Sequence, residues 1–218
     1  MITILQHGEH EPSGTIGECL NARHEPFQTL RLDKGDSLPK DPPDRLIILG
    51  GQMSVNDESI YPFLAREKTL VRKAIARDAT VLGICLGAQM IAAASGKKVC
   101  TGEVEQGWRT IQGCNTSGHR FFPDRFEVFH WHKETFDLPD GARLIATGTA
   151  VKNQAFLLRH ALGVQFHPEV TEPMIAFWAK DLNDTKRLAM LEDTIKKTEG
   201  NRILCDAIIH AFLADWKV

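Results

Sequence analysis

Along this chain, short apolar runs alternate with longer stretches in which apolar residues recur every three or four positions. That alternation predicts an α/β domain built on a largely parallel sheet. The strand-like runs are 2–5, 45–49, 80–84, 126–130, 143–147, 154–159 and 163–166. Leu46-Ile47-Ile48-Leu49 and Val81-Leu82-Gly83-Ile84 are apolar throughout, as central strands covered on both faces must be. Between them, 63–77 carries Leu64, Leu70, Val71, Ala74 and Ile75 near one helical face. The stretch 86–95 is apolar all round, which predicts a buried helix ended by Gly96 in a left-handed cap. Thr171 reads as a helix N-cap, with Pro173 tolerated in the first turn.

Beyond Asn183 strand signals cease. Two helices are expected there, separated near Gly200, the second carrying Ile203, Ala207, Ile208, Ala211 and Phe212. Residues 1–182 thus read as one domain and 183–218 as a helical extension packed on it. The proline-rich stretch 39–43 reads as a surface loop.

Composition narrows the function. Hydrophobic residues make up 43% and charged residues 25%, with a formal net charge of -2. Such a balance gives no reason to expect a nucleic-acid or membrane partner. No run approaches the roughly 18 apolar residues a membrane span needs. The N-terminus has neither a basic leader nor a long apolar stretch. The five cysteines are odd in number, scattered and never paired as Cys-x-x-Cys. A disulfide framework and a cysteine-based zinc site are therefore not expected, and a reducing cytoplasm is the natural setting. No metal or organic cofactor is expected.

The sharpest chemical signal is Gly83-Ile84-Cys85-Leu86-Gly87-Ala88-Gln89. An apolar strand ends here and an apolar helix begins at once. Side chains two residues either side of so tight a turn would collide, which explains glycine at Gly83 and Gly87. The turn lifts Cys85 to the carboxyl end of the sheet, where ligands bind in open α/β folds. It also sets the sulfur at a helix N-terminus, whose positive end favours negative charge. An isolated cysteine is more often buried and inert, but the flanking glycines point to a nucleophile.

A second strand ends in Gln165-Phe166-His167-Pro168-Glu169. Pro168 keeps His167 extended, so residues 167 and 169 project to one side and Glu169 can hold the His167 ring. Nucleophile, base and orienter would follow. A third strand ends in Leu49-Gly50-Gly51. The pair of glycines is either a plain strand-to-loop turn or a backbone donor site. In the latter case the amides of Gly51 and Leu86 would stabilise an oxyanion. His130 and His132 flank Trp131 and either touch substrate or are satisfied structural histidines. Trp108, Trp131 and Trp178 read as core or pocket-wall groups, and 192–199 as a solvated helix face.

Taken in order, Gly-Gly-Gln-Met-Ser-Val-Asn-Asp, Gly-Ile-Cys-Leu-Gly-Ala-Gln and Gln-Phe-His-Pro-Glu-Val resemble the class I glutamine amidotransferases, with closest likeness to stand-alone proteins related to the glutaminase domain of GMP synthase. The likeness covers about 2–178. It implies a flavodoxin-like, doubly wound, mostly parallel sheet flanked by helices. It also implies Cys85 as nucleophile, His167 as base, Glu169 as orienter, and Gly51 and Leu86 as oxyanion donors. Gln89 would line the glutamine pocket. The stretch 131–139 resembles a family segment that holds the α-amino and carboxylate ends of glutamine, which implies Trp131 and His132 as substrate-binding. The chain departs from the pattern in two places: Lys133 and Glu134 replace the usual glycine and aspartate, and Gln52 a usual proline. No Gly-x-x-x-x-Gly-Lys nucleotide loop accompanies the domain. Three activities follow: a hydrolase acting on glutamine or a γ-glutamyl conjugate, a glutaminase subunit feeding ammonia to a separate synthetase, or a regulatory protein on the same fold.

Overall fold

The computed structural model describes residues 1–116 and 119–216, with the side chains of all but 115–120 among them. The chain runs β1 (Ile2–Gln6), α1 (Gly14–Ala22), β2 (Phe27–Arg31), β3 (Arg45–Ile48), α2 (Phe63–Ala76), β4 (Thr80–Ile84), α3 (Leu86–Ala94), β5 (Val99–Gly113), β6 (Asn115–Thr116), β7 (His119–Arg120), β8 (Arg125–Phe136), β9 (Arg143–Thr147), β10 (Asn153–Leu158), β11 (Ala161–Val164), α4 (Glu172–Trp178) and α5 (Asp184–Leu213). Nine strands form one sheet in the order β2-β1-β3-β4-β11-β10-β9-β5-β8. The first five are parallel. Their order is the 2-1-3-4-5 of the flavodoxin-like arrangement. The other four pair antiparallel, and β6 and β7 make a separate two-stranded piece.

Strand periodicity divides the core into two layers. Ile2, Ile4, Ile47, Leu82 and Ile84 face one side, where they meet Ile16 and Leu20 of α1 and Cys205, Ile208 and Phe212 of α5. Leu5, Leu46, Ile48 and Val81 face the other, against Leu64, Leu70 and Val71 of α2 and Met90 and Ile91 of α3. The sheet is therefore covered on both faces, as its uninterrupted apolar strands require. Among the described residues, no helix is long and apolar enough to cross a membrane.

Gly200 does not divide the C-terminal segment, contrary to the sequence expectation; α5 is one helix of 30 residues. An interior glycine costs about 1 kcal/mol relative to alanine. Just beyond it, Cys205, Ile208, Ile209 and Phe212 are buried, and each large apolar side chain contributes about 1.5–3 kcal/mol. Packing therefore outweighs the local cost. Asn183 caps the helix, its side chain accepting from the Lys186 amide.

Candidate active site

Cys85 stands between β4 and α3 with φ 50° and ψ -103°. A non-glycine residue in that region carries strain of about 1–3 kcal/mol, which the surrounding strand and helix must hold. A Cβ at Gly83 would run into the Gly87 carbonyl, and one at Gly87 into the Ile48 carbonyl. The turn thus needs both glycines for backbone to pass backbone. The Cys85 amide donates to the Val164 carbonyl at 2.8 Å, which ties the turn to β11. From just beyond β11, Gln165 Nε2 reaches Cys85 Sγ at 3.6 Å.

β11 leads directly to His167. Its backbone amide donates to Phe129 at 2.8 Å. Asn201 of α5, buried itself, donates through Nδ2 to the Pro168 carbonyl at 3.0 Å and the His167 carbonyl at 3.4 Å. The C-terminal helix therefore holds the segment that carries the imidazole. His167 Nδ1 lies 2.8 Å from Glu169 Oε1, so Nδ1 carries a proton donated to the carboxylate. Nε2 is buried without a hydrogen-bond partner among the described residues. Burial opposes a charged ring here. The Glu169 carboxylate and the Cys85 sulfur outweigh it and lift the His167 pKa to about 10. The edge of Trp178 closes over the ring, with centroids 5.0 Å apart.

Gly50 is the meeting point of the three strand ends. A Cβ there would lie 3.1 Å from His167 Cε1 and 3.8 Å from Cys85 Cβ. Its carbonyl is 3.2 Å from His7 Nδ1. His7 Nε2 lies 3.1 Å from both oxygens of Glu67, a buried pair. Burial pulls the His7 pKa down, but Glu67 more than reverses this and the net shift is upward. A protonated His7 donates at both ends. In a trans peptide the N–H opposes the C=O, so anchoring the Gly50 carbonyl on His7 aims the Gly51 amide the other way.

A cavity of about 800 Å³ opens over these groups. Cys85, His167, Gly51, Gln89, Trp131 and His132 all line it, together with Lys133 and Glu134. Leu86 sits at the first turn of α3, its side chain packed toward Gly51. Glu169 lies behind His167, buried. Gln89 donates to the Glu134 carbonyl at 3.3 Å and to Gln165 Oε1 at 3.4 Å. Gln52, exposed at the rim, donates to Glu11 at 3.0 Å. A smaller cavity of about 330 Å³, lined by Asp44, Thr80 and His160, lies at the opposite end of β4.

Several residues of the site escaped the sequence reading. His7 and Glu67 lie sixty positions apart, and no local motif joins them. Gln165 and Asn201 act through tertiary contacts alone. Glu105, His130 and His132 come together beside the cavity, all buried. The only local signal for that group was the His-x-His of β8.

Comparisons with known proteins agree with this architecture. The profile for "Glutamine amidotransferase class-I" matches residues 16–174. A glutamine amidotransferase-like protein of Acanthamoeba polyphaga mimivirus is 26% identical over 215 residues, 96% of each chain. The glutamine-hydrolysing GMP synthase subunit of Methanothermobacter thermautotrophicus is 33% identical over 136 residues, 59% of this chain and 66% of that one. A glutamine amidotransferase of Thermotoga maritima superposes with a TM-score of 0.88 at 31% identity, over 97% of this chain and 96% of that one. With the profile spanning most of the chain and the flavodoxin-like sheet beneath it, this protein belongs to the class I glutamine amidotransferase family.

Proposed function

We propose that this protein hydrolyses a γ-glutamyl amide bond through a thioester on Cys85. The observation that carries the reading is the shared cavity. Cys85 and His167 both border it, and the Nδ1 contact with Glu169 leaves His167 Nε2 available to reacting atoms.

The Cys85 thiolate attacks the side-chain carbonyl carbon of the substrate. The Gly51 and Leu86 amides stabilise the resulting oxyanion. His167, as imidazolium, gives its Nε2 proton to the departing nitrogen as the C–N bond breaks, releasing ammonia or an amine. Water then enters, and His167 takes one of its protons. Hydroxide adds to the thioester, the C–S bond breaks with its electron pair returning to sulfur, and glutamate leaves as the carboxylic acid, which gives up its proton to the released base or to solvent. The proton remains on His167 and the thiolate is regenerated. Glu169 steadies the imidazolium throughout. Trp131, His132 and Gln89 bound the substrate.

A volume of about 800 Å³ lies near the upper end of the roughly 300–1,000 Å³ of small-molecule sites. That room accommodates a γ-glutamyl conjugate as well as free glutamine. The likeness to a glutamine-hydrolysing GMP synthase subunit supports a second reading, in which the chain supplies ammonia to a separate synthetase. The deciding experiment measures glutamate release from glutamine and a panel of γ-glutamyl amides, with and without Cys85→Ser. The hydrolase reading expects turnover of at least one conjugate by the protein alone and none by Cys85→Ser. Equal rates for the two proteins across the panel would end it.

His7→Phe tests the oxyanion arrangement. It keeps an aromatic ring but frees the Gly50 carbonyl. Losing one oxyanion donor costs about 10²–10³ in kcat. We expect a fall of about 10- to 100-fold for this indirect change, with KM little altered. A change confined to KM would contradict the role.

A further inference from the structure

Outside the Cys85–His167 pair, one buried cluster is arranged for a ligand. We propose that Glu105, His130 and His132 bind a divalent transition-metal ion of the zinc class beside the cavity. This inference does not rest on the reaction assigned to Cys85, although His132 borders the same cavity.

The cluster begins with a fault in the sheet. Between Thr101 and Glu105 the β5–β8 register slips. After it, Val104 is 60% exposed and Glu105 only 2%. An apolar side chain has been turned outward and a carboxylate inward, the reverse of what burial favours. Glu105 then stands directly opposite His132, and His130 lies two residues before it on the same face of β8.

The donor atoms form a triangle. His130 Nδ1 is 3.3 Å from His132 Nε2. Glu105 Oε2 is 3.5 Å from His130 Nδ1 and 3.2 Å from His132 Nε2. Metal–nitrogen and metal–oxygen bonds of about 2.0–2.1 Å at tetrahedral angles place donors about 3.3 Å apart. Bonds of similar length at the right angles of an octahedron place them about 3.0 Å apart. The three edges fit the tetrahedron. Two imidazoles and one carboxylate are also ligands for zinc and its neighbours rather than for calcium or magnesium.

Proton accounting leads to the same place. His132 Nδ1 lies 3.1 Å from the Glu134 carbonyl, which only accepts, so Nδ1 carries the hydrogen. Nε2 then faces Glu105 Oε2 at 3.2 Å and His130 Nδ1 at 3.3 Å, and between such acceptors in a dry interior a proton or a metal ion must stand. Protons on the two rings serve two edges of the triangle; a metal ion serves all three.

Two of the three ligands have outer partners that suit such a site, whereas His130 Nε2 is buried without one among the described residues. The His132 Nδ1–H is held by the Glu134 carbonyl, and Gln154 Nε2 donates to Glu105 Oε2 at 2.7 Å. Supports of this kind orient metal ligands. Arg109 lies 3.9 Å from the other carboxylate oxygen, Oε1, and leaves Oε2 to the cluster. Glu105 and His130 are enclosed, while His132 borders the cavity. The cavity is therefore the route of entry, and water is the natural fourth ligand.

The test uses the full chain freed of metal, with Cys85→Ser to remove the competing sulfur. It is titrated at pH 7 with zinc by calorimetry and with cobalt by visible absorption. X-ray absorption of the zinc-loaded wild type then reads the ligand shell. We expect one equivalent bound, a tetrahedral cobalt spectrum without a thiolate charge-transfer band, a zinc shell of two imidazoles and oxygen, and at least about 100-fold weaker binding in Glu105→Gln. No uptake by Cys85→Ser, sulfur in the zinc shell, or undiminished binding by Glu105→Gln would each overturn the site. A Glu105→Gln protein that fails to fold leaves the decision to the wild-type shell and the Cys85→Ser titration.

Discussion

Cys85→Ala and His167→Ala, made singly and together, lower the kcat for γ-glutamyl hydrolysis by about the same factor, on the order of 10⁴ or more. Members of a nucleophilic unit act as one, and removing the second after the first costs little further. The geometry gives the reason. Without the sulfur, the Nε2 proton has no attack to follow. Without the imidazole, the leaving nitrogen departs unprotonated and water is not activated. Residual turnover would come from binding and the oxyanion donors alone. Steady-state rates for the two single variants and the double variant check this. If the losses in the double variant multiplied to about 10⁸, Cys85 and His167 would be acting independently, against the proposal.

Glu169→Gln is expected to lower kcat by about 10³–10⁴ and to move the alkaline limit of activity to lower pH. The first effect follows from a lost orienter, since an amide in place of the carboxylate can hold the wrong tautomer. The second follows from the charge balance at His167. Burial lowers its pKa, Glu169 and then Cys85 raise it, and the result is about 10. Without the Glu169 charge, burial prevails further and the imidazolium is lost earlier as pH rises.

Stability follows the same shift. A folded-state pKa raised above the ordinary 6.5 gives stability that is fully present below pH 6.5. That stability drains away as pH climbs through about 10. Wild type should therefore lose stability to urea between pH 7 and 9.5, and Glu169→Gln should lose less over that interval. Activity profiles and urea midpoints read the two effects separately. An unchanged alkaline limit in Glu169→Gln would show that the carboxylate does not govern the ring.

Four of the five parallel strands were legible, β3 and β4 most plainly because they are uninterrupted apolar runs, a pattern imposed by burial on both faces. The Cys85 turn was legible because its glycines are demanded by backbone contacts only a few residues away. What stayed hidden lacks such local causes. α1 contains two glycines and no side-chain cap; it is held by the burial of Ile16 and Leu20. β2 is an edge strand with no fully buried residue. β5 mixes glycine, glutamate and threonine along an antiparallel strand, and its slip at Thr101–Glu105 turns a glutamate inward against every periodic expectation. Gly200 misled because its cost is local, whereas the packing of α5 is set by distant partners. At the site, the His167–Glu169 pairing follows from two residues of extended chain, while the His7–Glu67 support and the Asn201 hold on Pro168 exist only once the fold has formed.

The most direct measurement is labelling with a glutamine-shaped electrophile carrying a reactive ketone in place of the side-chain amide, followed by peptide mass mapping. Stoichiometric modification of Cys85, sparing Cys19, Cys100, Cys114 and Cys205 and slowed sharply in His167→Ala, is the predicted result. Label spread among the other thiols, or uptake at Cys85 that is indifferent to His167, would contradict a nucleophile and base facing one another across this cavity.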